Sequence, residues 1–197
     1  MDKKKILIVD DDAITQKLLK GLLEKQGYKK IMLSNSGGQA LELIKKDPPD
    51  LVLLDVFMPG IDGYEVCTRL KADSSTSHIP IIMVTGGAVQ ADEAIEKSFN
   101  AGATDFITKP ISGIEFLARI KSGLTIKNNH DLLADELKRR KLAEKEKEKL
   151  IKKLEQALSE IKSLKGIVPI CSHCKKIRDD KGFWNNLEAY IQAHSEA

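Results

Sequence analysis

Five short apolar runs punctuate the first 125 residues: KILIV (5 to 9), KIMLS (30 to 34), DLVLLD (50 to 55), IPIIMVT (79 to 85) and TDFIT (104 to 108). Runs this short and this uniformly apolar predict strands buried on both faces, because a half-exposed strand would alternate apolar and polar residues. Between them the apolar residues recur at helical spacing: Ile14, Leu18 and Leu22; Leu41 and Ile44; Val66 and Leu70; Ile95 and Phe99; Ile114, Leu117, Ile120 and Leu124. Gly27 and Gly102 stand where helices should stop, Asp12 where the first should be capped, and Ser112 with Glu115 has the spacing of a capping box. Strands alternating with helices in this way require crossover connections. The fold class is therefore α/β, a five-stranded doubly wound parallel sheet covered by helices on both faces.

From about Asp131 to Lys165 the sequence turns to Lys, Glu and Leu, without Pro or Gly. This predicts a long helix. Its second half places Leu150, Ile151, Leu154, Ala157, Leu158, Ile161 and Leu164 in a three-four rhythm suited to pairing with another helix. The first half, KRRKLAEKEKEK, has no such stripe and relies on pairs such as Asp135 with Arg139, Glu136 with Arg140 and Glu148 with Lys152. A short dimeric coiled coil is the expectation, with a solvated linker helix as the bland reading. Gly166 and Pro169 should end the helix. The domain organisation read from these changes is an α/β unit at 1–125, a helical linker or coiled coil at 126–165, and a small cysteine-bearing segment at 166–197.

The charge balance, +3 over 197 residues, does not call for nucleic acid or an anionic membrane as partner. Basic residues in the small cluster at 175 to 181 are offset by Asp179 and Asp180, and no helix-turn-helix pattern follows the α/β unit, so DNA regulation is only a runner-up. The apolar stretch at the start is far too short for a signal peptide, and none approaches a membrane span. With three cysteines, a disulfide framework is not expected and the cytoplasm is the default compartment. Cys67 reads as a buried apolar residue of the third helix. His78 and His130 fall in a loop and a linker and support no assignment.

Ligands of doubly wound sheets gather at the carboxyl ends of the strands. There Asp10 and Asp11 end the first strand, Asp55 the third and Thr85 the fourth, and Lys109 follows the fifth. Three carboxylates at one rim repel one another unless a cation intervenes, and an all-oxygen donor set favours Mg²⁺. A carboxylate so placed can attack a phosphoryl group, while the ammonium of Lys109 and the hydroxyl of Thr85 bind its remaining oxygens. Taken singly, each residue has an ordinary structural role; five of them on the strand ends of one fold do not.

These residues, in ILIVDDD, LLDVFMPGIDG, IIMVTGG and DFITKP, closely resemble the response-regulator receiver family across about residues 1 to 125. The resemblance implies that Asp55 accepts phosphate from a histidine kinase or phosphotransfer protein. It implies Mg²⁺ held by Asp10, Asp11, Asp55 and the backbone carbonyl of Phe57, with Lys109 paired first to Asp55 and then to the phosphate. It also implies a cis bond before Pro110 and a switch in which Thr85 moves inward and an aromatic residue, here Phe106, follows it. Phe57 itself departs from the smaller, polar or Met side chains common at that place, and its bulk is expected to screen the acyl phosphate from water. Such a protein is a signalling phosphoacceptor, not an enzyme acting on a separate substrate. Two alternatives are a non-phosphorylated pseudo-receiver serving as a dimerisation scaffold and a flavodoxin-like cofactor binder. Against the second, Asp10 to Asp12 would repel a phosphate where a cradling loop should lie.

Cys171 and Cys174, two residues apart, have the spacing of a metal knuckle, and Lys175, Lys176 and Arg178 would offset thiolate charge. A redox pair and two bystander thiols are the other readings. A tetrahedral Zn²⁺ needs two more ligands. His173 lies awkwardly inside the knuckle, and His194 could close back if residues 183 to 193 form a helix. The stretch from Val168 onward resembles a small module at the C-terminus of bacterial sensor and regulator proteins, in which a second Cys-x-x-Cys pair follows. The expectation is thus a zinc-ribbon-like site that is incomplete and truncated in this sequence.

Overall fold

The computed structural model describes residues 4–86, 91–164, 170–178 and 182–194. Its elements run β1 (Lys5–Val9), α1 (Ala13–Lys25), β2 (Lys30–Ser34), α2 (Gly37–Lys46), β3 (Leu51–Asp55), α3 (Gly63–Ala72), β4 (Ile81–Thr85), α4 (Ala91–Asn100), β5 (Asp105–Thr108) and α5 (Gly113–Leu164). After these come β6 (Ile177–Arg178), β7 (Trp184–Asn185) and α6 (Leu187–His194). The chain separates into two compact units, Met1–Glu136 and Leu137–Ala197.

In the first unit, five parallel strands form a sheet of order β2-β1-β3-β4-β5. Successive side chains alternate between its faces. Leu7, Val9, Val52 and Leu54 pack with Ala40, Ile44, Val66, Cys67 and Leu70 of α2 and α3. Ile6, Ile8, Leu51 and Leu53 pack on the opposite side with Leu19, Leu23, Phe116, Ile120 and Leu124 of α1 and α5. Strands β1, β3 and β4 are buried on both faces, as their apolar runs require, while the edge strands β2 and β5 are partly exposed. The chain leaves β1 toward β2 and returns to the other side for β3, so the order reverses between β1 and β3. In the register of those two strands Val9 lies opposite Leu54, which brings the following residues, Asp10 and Asp55, side by side at the switch point.

Helix boundaries follow local chemistry. Asp12 caps α1 by accepting the backbone N–H groups of Ile14 and Thr15, and Gly27 and Gly102 take the positive φ angles, 84° and 92°, that end a helix. The carbonyl of Ser112 accepts the Phe116 N–H, opening α5, whereas Glu115 pairs with Arg119 instead of closing a capping box. On α1 only Leu22 of the stripe Ile14, Leu18 and Leu22 packs against the core, while Ile14 and Leu18 are exposed. Ile14 is 79% exposed, and Leu19 and Leu23, one position further along, are buried instead.

Helix α5 runs without a break from the last helix of the α/β unit into the helical linker expected at 126–165. Beyond Leu124, as far as Glu136, it still belongs to the first unit. Lys127 is buried and paired with Asp131, and the His130 ring stacks on His78 at 4.7 Å between centroids with planes 12° apart. In the second unit Leu137, Leu142, Leu150, Ile151, Leu154 and Leu158 are exposed. The side chains of Ile161 and Leu164, and the expected stop signals Gly166 and Pro169, lie outside the described residues, as do Asp179 and Asp180.

The terminal segment forms a small antiparallel hairpin. Strand β6 pairs with β7, and Ile170 bridges to Ile177. The helix expected over 183 to 193 begins later, at Leu187, because Trp184 and Asn185 are taken up by β7. Leu187 and Ile191 remain exposed, with Tyr190 partly covered. No helix among the described residues is long and apolar enough to cross a membrane.

Candidate functional site

The carboxyl ends of β1 and β3 place two buried carboxylates next to each other: Asp10 is 1% exposed and Asp55 4% exposed. Exposed Asp11 joins them, one carboxylate oxygen of each lying within 4.8 Å of the others. Lys109, at the end of β5, reaches across. Its Nζ donates to Asp55 Oδ1 at 2.7 Å and to Asp10 Oδ2 at 3.2 Å. The lysine arrives there because its own N–H bonds to the Thr85 carbonyl at 2.7 Å, continuing the β4–β5 ladder by one step. The Lys109–Pro110 peptide bond is cis. Thr85, buried, ends β4 beside this ladder.

The remaining carboxylate oxygens have partners too. Asp55 Oδ2 accepts the Phe57 N–H at 3.0 Å, and Asp10 Oδ1 accepts the Asp12 N–H at 2.9 Å. Burial pushes the Asp55 carboxyl above its ordinary value. Lys109 opposes that shift, Asp10 adds to it and the Phe57 N–H opposes it. For the Lys109 ammonium, burial works toward a lower value but is outweighed by Asp55 and Asp10, and the net shift is upward. Asp12 stands apart from the cluster. Its carboxyl is held low by the Thr15 hydroxyl and the N–H groups of Ile14 and Thr15, as befits a helix cap.

Two residues shape this rim without having been singled out by the sequence. The side-chain amide of Gln16 donates to the carbonyls of Asp10 at 2.7 Å and Ser34 at 2.8 Å, clamping the ends of β1 and β2 together. A glutamine on the first turns of α1 carries no pattern that announces this. Gly63 opens α3 against the backbone of β3, where a Cβ would lie 2.3 Å from the Asp55 carbonyl oxygen. The LLDVFMPGIDG stretch contains that glycine, but spacing alone does not reveal the contact.

At the other end of the expected switch, Phe106 is half-buried in β5. Phe99 meets it edge-on at 5.8 Å between centroids, and the guanidinium of Arg119 lies 5.3 Å over its ring. Asp105 and Glu115 hold Arg119 in place. Phe57, directly after the Asp55 turn, is 60% exposed.

Away from this site, Cys67 is buried and its thiol is pushed up to about 11, chiefly by burial. Cys171 and Cys174 belong to the second unit. The N–H groups of Cys174 and His173 hold the Cys171 thiol below its ordinary value. His173 is exposed, and the side chain of His194 lies outside the described residues.

A doubly wound domain with an acidic pocket and a lysine at its switch point defines a class of signalling domains that bind Mg²⁺ through that pocket. The chain belongs to the response regulator receiver domain family, which matches residues 6–121. It is 38% identical over 136 residues to the response regulator PleD of Caulobacter vibrioides, covering 69% of this chain but only 28% of that relative. It is 40% identical over 121 residues to the polar-differentiation response regulator DivK of Brucella ovis, covering 61% of this chain and 96% of DivK. Among solved structures it is similar to a CheY-like receiver domain protein of Methanospirillum hungatei, with a TM-score of 0.58, 31% identity, and 64% of this chain and 98% of that one covered. It is also similar to the receiver domain of a signal transduction histidine kinase from Syntrophus aciditrophicus, with a TM-score of 0.57, 34% identity, and coverage of 62% and 90%. The acidic cluster fits the family's Mg²⁺ pocket in donor type, being all carboxylate oxygen.

Proposed function

We propose that this response regulator receives a phosphoryl group on Asp55 from a histidine kinase or phosphotransfer protein in the cytoplasm, and that it signals by changing conformation and self-association. The observation that carries this reading is the contact of Lys109 Nζ with Asp55 Oδ1 inside a three-carboxylate rim. A buried carboxylate whose one oxygen faces an ammonium, and whose other is fixed by the Phe57 N–H, is oriented for in-line attack.

In the transfer, an Asp55 oxygen forms the new P–O bond as the bond from phosphorus to the donor's imidazole nitrogen breaks, and that nitrogen keeps the electron pair. Asp10, Asp11, Asp55 and the Phe57 carbonyl would hold Mg²⁺, which when bound supplies positive charge to the phosphoryl oxygens. Lys109 exchanges its bond to the Asp55 carboxylate for one to the phosphoryl group. The Thr85 hydroxyl donates to a second phosphoryl oxygen. That draws β4's end inward and opens room for Phe106 to leave Phe99 and Arg119, altering the face made by α4, β5 and α5. The change is a shift between two existing populations.

Self-association is assigned to the exposed stripe of α5, where Ile151, Leu154 and Leu158 recur at coiled-coil spacing. The experiment that tests the reading treats the full chain with acetyl phosphate and Mg²⁺, and separately with beryllofluoride. The expected results are a phosphoryl mass on the parent protein, none on Asp55→Asn, and a change in sedimentation with beryllofluoride. An unmodified parent chain would leave the pseudo-receiver scaffold as the better reading.

A further inference from the structure

Every polar atom of Asp10 is tied down. Its N–H donates to the Ser34 carbonyl at 3.1 Å, and its own carbonyl accepts from Gln16 Nε2 at 2.7 Å. Its Oδ1 accepts the Asp12 N–H at 2.9 Å and its Oδ2 the Lys109 ammonium at 3.2 Å. The other partners belong to the sheet, to the turn into α1 and to the pocket's lysine. Gln16 is a neutral side chain on α1. Its amide nitrogen carries two N–H groups, one for the Asp10 carbonyl and one for that of Ser34, 2.8 Å away.

Strand pairing does not need this side chain. The Ser34 carbonyl already accepts the Asp10 N–H, so the bond from Gln16 is a second one to a satisfied acceptor. The end of β2 has its own tie, because Gln39 Oε1 accepts the Asn35 N–H at 3.0 Å and lies 3.0 Å from Ser34 Oγ. What Gln16 fixes is the Asp10 carbonyl, and with it the whole Asp10–Asp11 peptide, which turns as one rigid plane. Asp11 hangs from that plane. It is exposed, so packing does not hold it. Its main chain is steered on one side by the Asp10 peptide. On the other side stands Asp12, whose N–H is held by Asp10 Oδ1 and whose carboxylate caps α1. Mg²⁺ demands near-ideal octahedral geometry, so a small turn of this peptide, which would carry the Asp11 carboxylate away from those of Asp10 and Asp55, weakens the ion's hold.

We propose that Gln16 is a positioning residue of the divalent-ion pocket: by holding the Asp10 carbonyl, its amide sets the Asp10–Asp11 peptide so that both carboxylates meet one ion. This rests on the reading of the acidic rim as a Mg²⁺ pocket. The test titrates Mn²⁺, which takes the same oxygen ligands and whose free form gives a sharp spin-resonance signal, into metal-free full-length protein, and then displaces it with Mg²⁺. The parent should bind at a single site that Asp10→Asn disables. Gln16→Met and Gln16→Glu should each bind both ions about 10-fold more weakly, the usual loss when a partner behind a metal ligand is removed. The glutamate variant separates position from charge. It adds a negative charge beside the pocket, which would tighten cation binding if charge alone mattered, but it cannot donate to either carbonyl. Leu19→Val, which loosens the same helix against the sheet without touching the rim, should lower the urea midpoint and keep the parental affinity. Parental affinity in Gln16→Met, equal or tighter binding in Gln16→Glu, or a matching loss in Leu19→Val would each overturn the assignment. A parent that binds no Mn²⁺ fails as a pocket, and Gln16 with it. A parent that binds Mn²⁺ as expected but takes no phosphoryl group from acetyl phosphate fails only the phosphorylation of Asp55, and the role of Gln16 stands.

Discussion

Removing the lysine from the acidic rim should expose how much of the resting site's stability depends on a single cation. In Lys109→Met the apolar stem is kept and the ammonium is lost, leaving Asp10 and Asp55 buried and facing each other. Two unit charges at 4.8 Å, the outer limit of their separation, repel by about 3.5 kcal/mol at an effective dielectric constant of about 20. Losing one partner of a fully buried pair costs about 3–5 kcal/mol. The Lys109 side chain is 30% exposed, so solvent screens part of this, and about 2 kcal/mol of lost stability is expected. With a typical denaturant dependence, that is a drop of about 1 M in the urea midpoint. The assay is urea unfolding followed by circular dichroism in EDTA and again in saturating Mg²⁺, for the parent, Lys109→Met and Asp10→Asn/Lys109→Met. The single variant should unfold earliest in EDTA and gain more from Mg²⁺ than the parent, because no ammonium competes for the carboxylates. The double variant should recover part of the loss. Equal midpoints in EDTA, or a double variant no more stable than the single one, would refute the electrostatic account.

Gly63→Ala places a methyl 2.3 Å from the Asp55 carbonyl oxygen, so α3 must retreat; about 1–3 kcal/mol of destabilisation and slowed phosphoryl uptake are expected, measured by urea unfolding and acetyl phosphate labelling. Phe57→Asn should shorten the life of the phosphorylated state by admitting water, and an unchanged rate of phosphate release would remove Phe57 from that role. The His78 imidazole is held below its ordinary value by burial first and by Lys127 and His130 next, with Asp131 opposing and Lys71 adding. Its unfolded form therefore binds the proton more tightly. Stability is unaffected above about pH 6.5, falls as the pH drops below that value, and levels off beneath the folded-state value. His78→Phe, which keeps a ring on His130, should lose less stability than the parent between about pH 7.5 and about pH 5.5 in urea unfolding. Equal losses would contradict it.

Much of this architecture could be read in advance because its signals are local. KIMLS is β2 residue for residue, and the carboxylates and lysine were placed by standing at strand ends. What escaped notice depends on tertiary contact. The start of the helical linker expected from 126 gives no sign of its contacts, yet Lys127 is covered and paired and His130 finds the ring of His78, 52 residues earlier in sequence. Gln16 was invisible for a related reason: its two carbonyl partners lie on different strands. On α1, Ile14, Leu18 and Leu22 match helical spacing as well as Leu19 and Leu23 do, and only the sheet decides which row is buried. Trp184 joined a strand because its neighbours found a hairpin partner in β6, a choice that helix periodicity does not report.

The rim described above holds three carboxylates against one ammonium. Its formal charge is a deficit of two, the charge of one divalent cation. With such an ion the pocket is neutral, and without one an incoming phosphoryl dianion meets net negative charge at close range. On the proposed phosphorylation of Asp55, electroneutrality would make the pocket a coincidence detector, in which phosphoryl arrival counts only when a divalent ion is already there. On that reading the concentration of free divalent ion would set a threshold on the signal independently of the phosphoryl donor.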